Sequence, residues 1–322
     1  MAPSTRHLTA RESAAAVAVI PDAAGFALMR RYASFRHTDH AGYLRRTERL
    51  LRALAGRHGH TSVALFDPLG YAEYCEREGL DPDTAASRAR YTARLASRGA
   101  TVPYAGESLD LLLPALLAEH ARRETWEAGT DLLAAAGACP DCGAPASRCA
   151  FHRAAGLLAD VLAPAAPGEH HLVGTVLAET GPLTAAVRAR CSEDGRLDLE
   201  EPAALTLCTV LAVGLATGAP AGLVLRSGDE EAPAGSGPES APPGREAGGG
   251  AFPGGGPAGP PGPSGRGEEV RGWRLEGGRL RGLSEAEVFA AYCTDPLTGD
   301  PVPPEHGVLH RAAPDLPRPS CP

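Results

Sequence analysis

Four residues able to bind a metal fall within one short stretch: Cys139, Cys142, Cys149 and His152. Two residues separate Cys139 from Cys142, and two separate Cys149 from His152. Each pair can therefore offer two ligand atoms from one turn, and Gly143 eases the backbone past the first pair. Three thiolates and one imidazole would form a closed structural zinc site with no open position for catalysis. The six residues between the pairs require the halves to fold back tightly on each other. Two metal-free readings suit the same residues. In one, Cys139 and Cys142 end a helix and Cys149 and His152 begin the next, all reduced and unligated; in the other, the cysteines form a redox dithiol.

A second constellation lies in Ser34–Leu44, where a strand is expected to give way to a helix. Ligands bind at such places in open parallel sheets, because strand C-ends and helix N-termini converge there. Arg36, His37 and His40 could hold an anionic group, with Glu107 joining them from a later strand end. Asp67, at the end of its own strand, could position metal or substrate, so His37, His40 and Asp67 are the catalytic candidates. The bland reading is that Asp39 and Asp67 cap helices and both histidines are solvated. The segment His40-Ala-Gly42-Tyr43 resembles the HxGH signature of the nucleotidyltransferase superfamily, which implies histidines that stabilise a transferring phosphate. Tyr43 stands where the second histidine would be, and the chain has no lysine for that superfamily's second signature.

The elements that would position these residues follow from hydrophobic period and capping signals. Ala15–Ile20, Phe26–Phe35, Thr61–Phe66 and Ala100–Tyr104 read as strands. They alternate with helices over Asp39–Gly56, Leu69–Glu78, a segment opened by Asp81-Pro82 and closed by Gly99, and Glu107–Ala136, which could kink at Pro114 and Gly129. Such alternation favours a mostly parallel sheet with flanking helices. Farther on, Arg153–Leu162 is helical and His170–Ala178 pairs with Leu183–Cys191. Pro202–Thr217 reads as a helix, although its β-branched residues leave a strand open. Gly222–Arg226 and Val270–Leu275 form a hairpin, as do the halves of 273–281 around Gly277-Gly278. Ser284 and Glu287 form a capping box for a helix ending at Cys293, and the proline-rich tail from Thr294 reads as irregular.

Between the strands of the first hairpin, residues 227–268 are Gly, Pro, Ser and Glu with little to bury, and disorder is expected. The fold expectation is thus an α/β part (1–136), a Cys/His-containing helical connection (137–165), and an α+β part with antiparallel hairpins (166–322) interrupted by that insert.

The whole chain of 322 residues carries a formal charge of −8, which disfavours nucleic acid and anionic bilayers. The charge is uneven: residues 1–60 hold ten arginines against four acids. Arg45, Arg49 and Arg52 share one helix face, and Arg90, Arg94 and Arg98 share another; such stripes suit an acidic partner or simply solvent. Aromatics make up 5% of the chain, which leaves Ala, Leu and Val to fill the interior around Trp126 and Trp273. Abundant Ala, Gly, Pro and Arg without lysine point to a GC-rich genome. The apolar run Ala14–Ile20 is too short for a signal core or a membrane span, so a cytoplasmic protein with reduced cysteines is expected. No P-loop, GxSxG or HExxH pattern occurs, and no GxGxxG follows an expected strand. These features favour a non-catalytic binding or interaction module with a structural zinc, whose partner is a protein or a small anionic ligand. The alternative is an enzyme acting on a nucleotide or other phosphate-containing ligand at the strand ends.

Overall fold

A computed structural model describes residues 14–57, 60–99, 101–228, 268–292 and 307–322. Nearly all of the insert expected to be disordered, together with Cys293 and the start of the tail, lies outside the described residues. The chain divides into two compact units, Met1–Glu127 and Ala128–Pro322. Each has its own core and its own sheet.

In the first unit, β1 (Ala14–Val19) runs parallel to β2 (His60–Leu65), while β3 (Thr101–Pro103) is antiparallel to β2. The helices are α1 (Ala23–Met29), α2 (His40–Ala55), α3 (Pro68–Glu78) and α4 (Ala85–Arg98). The expected parallel sheet is therefore only partly present, for two reasons. Phe26–Phe35 is not a strand: Asp22 caps α1 by accepting from the Gly25 N–H at 2.7 Å, and the buried residues Phe26 and Met29 recur at helical spacing. Then α3 and α4 follow β2 in series and return the chain to the end of β2 that it left. Thr101 accordingly pairs with Ala64, and β3 runs back down the sheet.

The capping signals were well placed. Asp39 accepts from the Gly42 N–H at 2.6 Å, Asp67 accepts from Leu69 and Gly70, and Pro68 opens α3. The helix after Asp81-Pro82 begins three residues late, with Thr84 as its cap. This core is richer in aromatics than the composition suggests. Phe66, Tyr71, Tyr74 and Tyr91 pack with ring centroids 5.2–5.5 Å apart. Trp126 is only half-buried.

The long helix α5 (Leu109–Ala135) gives Leu109, Leu112 and Leu116 to the first core and Leu133 to the second. The second unit contains α6 (Ala146–Leu162), β4 (Gly168–Ala178), β5 (Gly181–Cys191), β6 (Leu197–Leu199) and α7 (Glu201–Thr217). After these come β7 (Ala221–Gly228), β8 (Glu269–Glu276), β9 (Arg279–Gly282), α8 (Glu285–Tyr292) and β10 (Leu309–His310). Its seven-stranded sheet has the order β10-β8-β7-β4-β5-β6, with β9 also on β8. Strict alternation in β5 turns Leu183, Ala185, Val187 and Ala189 inward and leaves Thr184, Ala186 and Arg188 exposed.

α7 is a helix although its residues are apolar all round, because α6 lies on one side and β4 and β5 on the other. Its threonines are accommodated by bonds to their own helix: Thr206 donates to Pro202 O at 2.8 Å and Thr209 to Leu205 O at 2.9 Å. The tail is more ordered than expected, since Leu309–His310 pairs with β8 and Leu316 bridges Leu280. Among the described residues, no helix is long and apolar enough to cross a membrane.

Candidate metal centre

The turn after α5 is built around the first cysteine pair. Cys139 N–H donates to Ala144 O at 2.7 Å, Gly143 N–H donates back to Cys139 O at 2.8 Å, and Gly143 takes the left-handed conformation with φ of 71°. This tight loop presents the Cys139 and Cys142 sulfurs toward the first turn of α6, where Cys149 sits. The fourth sulfur arrives from far along the chain, on the tail, as Cys321. All four sulfurs lie within 4.8 Å of one another, with Cys142 to Cys149 at 3.2 Å and Cys139 to Cys321 at 3.9 Å. Four cysteines this close could hold a metal ion.

His152, the fourth ligand expected from sequence, is exposed and does not join this group. On a helix, the residue four positions after Cys149 projects nearer its direction than the residue three after. That residue is Arg153, which is buried at 7% exposure. Its guanidinium donates to Asp141 at 2.6 Å and to the Cys321 sulfur at 3.0 Å. Arg318 donates to the same Asp141 carboxylate at 2.5 Å. The Arg153 bond holds the Asp141 carboxyl below the usual range, so the cluster sits beside fixed positive charge.

The thiols are unequal. Backbone N–H groups, first that of Asp141, draw the Cys139 thiol down to about 7. Hydrogen bonding with Cys142, followed by burial, pushes Cys149 up to about 12, and burial raises Cys321. Facing one another alone, the sulfurs cannot all ionise. A divalent cation would favour every thiolate at once.

The strand-end residues of the first unit are occupied differently. Asp67 is committed to capping α3. The His40 ring nitrogen Nε2 lies 3.1 Å from Ile20 O, and the ring packs against Phe26 and Tyr43. Tyr43, at the place of the second signature histidine, is buried and accepts from the Ile20 N–H at 3.1 Å. Arg36 is exposed. Glu107 accepts from the Ala105 N–H at 2.9 Å. It lies past the end of β3, where Tyr104 N–H bonds Thr61 O. That is the opposite end of β2 from Asp67, about 20 Å of strand away. Glu107 therefore does not converge with Asp67, because β3 runs the other way.

His37 packs between Phe35 and Tyr43, with ring centroids at 4.8 and 5.1 Å. Burial, then Arg46 and Arg88, lowers its pKa. It is therefore neutral at pH 7, unlike a cationic anchor for phosphate. An NMR titration of the His37 ring should give a pKa below the ordinary 6.5, and a value above it would contradict this environment.

Residues 4–107 match a family described as a domain of unknown function (DUF8829), which covers most of the first unit and none of the cysteine cluster. No curated protein and no solved structure matches the chain.

Proposed function

We propose that the protein is a non-catalytic binding protein whose second unit is closed by a structural zinc ion held by Cys139, Cys142, Cys149 and Cys321. The observation that carries this reading is the meeting of four sulfurs, from the α5–α6 turn, the start of α6 and the tail, within 4.8 Å. Zinc with sulfur ligands at about 2.3 Å in tetrahedral geometry separates those sulfurs by about 3.8 Å, the range in which these lie. The site carries its own charge compensation, because four thiolates around a divalent cation leave two negative charges and Arg153 donates directly to one sulfur.

Four protein ligands leave no place for a substrate, so zinc here fastens the tail to the helical turn and does no chemistry. The non-catalytic part of the reading is supported by Asp39, Asp67 and His40, each engaged in capping or packing.

Elemental analysis of protein purified without chelators tests the proposal. One zinc per chain is expected, and His152→Ala should keep it while Cys321→Ser loses it. Metal-free wild-type protein, or equal zinc in Cys321→Ser, would sink the assignment.

A further inference from the structure

The four sulfurs of the cluster differ in how far water reaches them. Cys139 and Cys149 are buried and Cys321 is half-buried, whereas Cys142 is exposed on the turn between α5 and α6. A small oxidant in solution therefore meets the cluster at Cys142.

With zinc bound, all four sulfurs would be thiolates, so ionisation does not choose among them. Hydrogen bonding does. Cys139 accepts from the backbone N–H groups of Asp141 and Cys142, and Cys321 accepts from the Arg153 guanidinium at 3.0 Å. Donors stabilise a thiolate, and a more stable thiolate is a weaker nucleophile. Cys142 combines exposure with a neighbour placed to react with it, because its sulfur lies 3.2 Å from that of Cys149. Drawing these two sulfurs to a bond of about 2.05 Å takes a shift of about 1 Å.

We infer that Cys142 is a site of oxidation by hydroperoxides, and that its conversion to a disulfide with Cys149 releases the metal. The inference rests on the zinc reading of this cluster and adds to it a regulation by oxidant. The Cys142 thiolate attacks one oxygen of hydrogen peroxide; the O–O bond breaks, hydroxide leaves, and a sulfenic acid remains on Cys142. The Cys149 thiolate then attacks the Cys142 sulfur, forming the S–S bond and expelling a second hydroxide. Two thiolates have lost two electrons, and the peroxide has gained them.

Cys139 and Cys321 remain as thiols, and two ligands do not make the closed set that a structural zinc requires. The new disulfide ties the turn to the start of α6. The segment released is therefore the tail at Cys321, which keeps contacts such as Arg318 to Asp141.

Full-length zinc-loaded protein, treated with hydrogen peroxide beside a coloured chelator too weak to strip the untreated chain, tests the inference. Peptide mapping after thiol alkylation locates the disulfide. One zinc should leave per chain as one Cys142–Cys149 disulfide forms, and Cys321 should gain reactivity toward iodoacetamide in the folded protein. Dithiothreitol with added zinc should restore the original metal content. Cys142→His keeps a ligand nitrogen at the exposed position without the reactive sulfur, and its zinc should leave about tenfold more slowly or not at all. The wild-type peptide map decides the matter even where that variant takes up no zinc. Zinc retained through the peroxide treatment, or zinc released with Cys142 unoxidised or joined to another sulfur, would overturn the inference and leave the metal site standing. Zinc absent before any treatment would instead sink the metal reading and this inference with it.

Discussion

Cys149→Ala is expected to empty the metal site and to lower the melting temperature of the second unit by roughly 5–11 °C. The magnitude follows from linkage: a ligand bound only to the folded state, at free concentration a hundred times its dissociation constant, adds about 2.7 kcal/mol. For a unit of this size each 1 kcal/mol moves the midpoint by about 2–4 °C. Cys149 is the informative position, because its sulfur is buried at 1% exposure at the start of the helix that packs against α7. Losing the metal therefore loosens a core helix as well as the tail. Calorimetry of the variant, and of wild-type protein stripped by a strong zinc chelator, should show matching shifts. Cys208→Ala, which removes a buried thiol outside the cluster, should keep its metal. A Cys149→Ala protein that retained zinc and melted like wild type would show that the four sulfurs do not act together.

Trp273→Ala should cost the second unit about 3–5 kcal/mol, the range for deleting a large buried aromatic. Trp273 is 1% exposed on β8, and its indole N–H donates to Pro314 O at 2.9 Å. The substitution opens a cavity under the sheet and strips a carbonyl on the tail of its donor. The tail is the segment that carries Arg318 and Cys321, so zinc affinity should fall together with stability. Urea unfolding followed by circular dichroism reads the first effect, and competition with a coloured chelator reads the second. Trp126→Ala, at a half-buried position, should cost less; a Trp273→Ala midpoint indistinguishable from it would contradict the role assigned to Trp273 as an anchor.

Local signals were legible in the sequence wherever one residue type has one mechanical reason to be there. Asp39, Asp67 with Pro68, and the Ser284–Glu287 box mark helix starts because each satisfies backbone donors that would otherwise be unpaired. The alternation in β4 and β5 fixed their pairing. Phe26–Phe35 was misleading because its aromatic residues suit a strand, while Phe26, Met29 and Tyr32 also recur every three residues, and it is that spacing which they bury. The direction of β3 depends on two helices folding back in series, which no single window of sequence records.

The sulfur cluster was half legible for a related reason. Cys139, Cys142 and Cys149 announce themselves by spacing, and His152 completes the pattern on paper, but α6 turns Arg153 and not His152 into the interior beside Cys149. The fourth sulfur of the cluster lies 182 residues from Cys139, in a proline-rich stretch with no periodic signal. Only the return of the tail along β8 and β9 brings it home.

That return has a consequence for the integrity of the chain. A peptide bond cut anywhere between Gly228 and Glu268 would separate the polypeptide into two covalent pieces, yet seven residue pairs from Ala221–Leu275 to Ser227–Glu269 zip one piece to the other. A metal ion held by the sulfur cluster would add a second fastening, because Cys321 belongs to the later fragment and its three companions to the earlier one. Cleavage there would pass unnoticed in the native molecule, which would behave as a non-covalent heterodimer of its own halves.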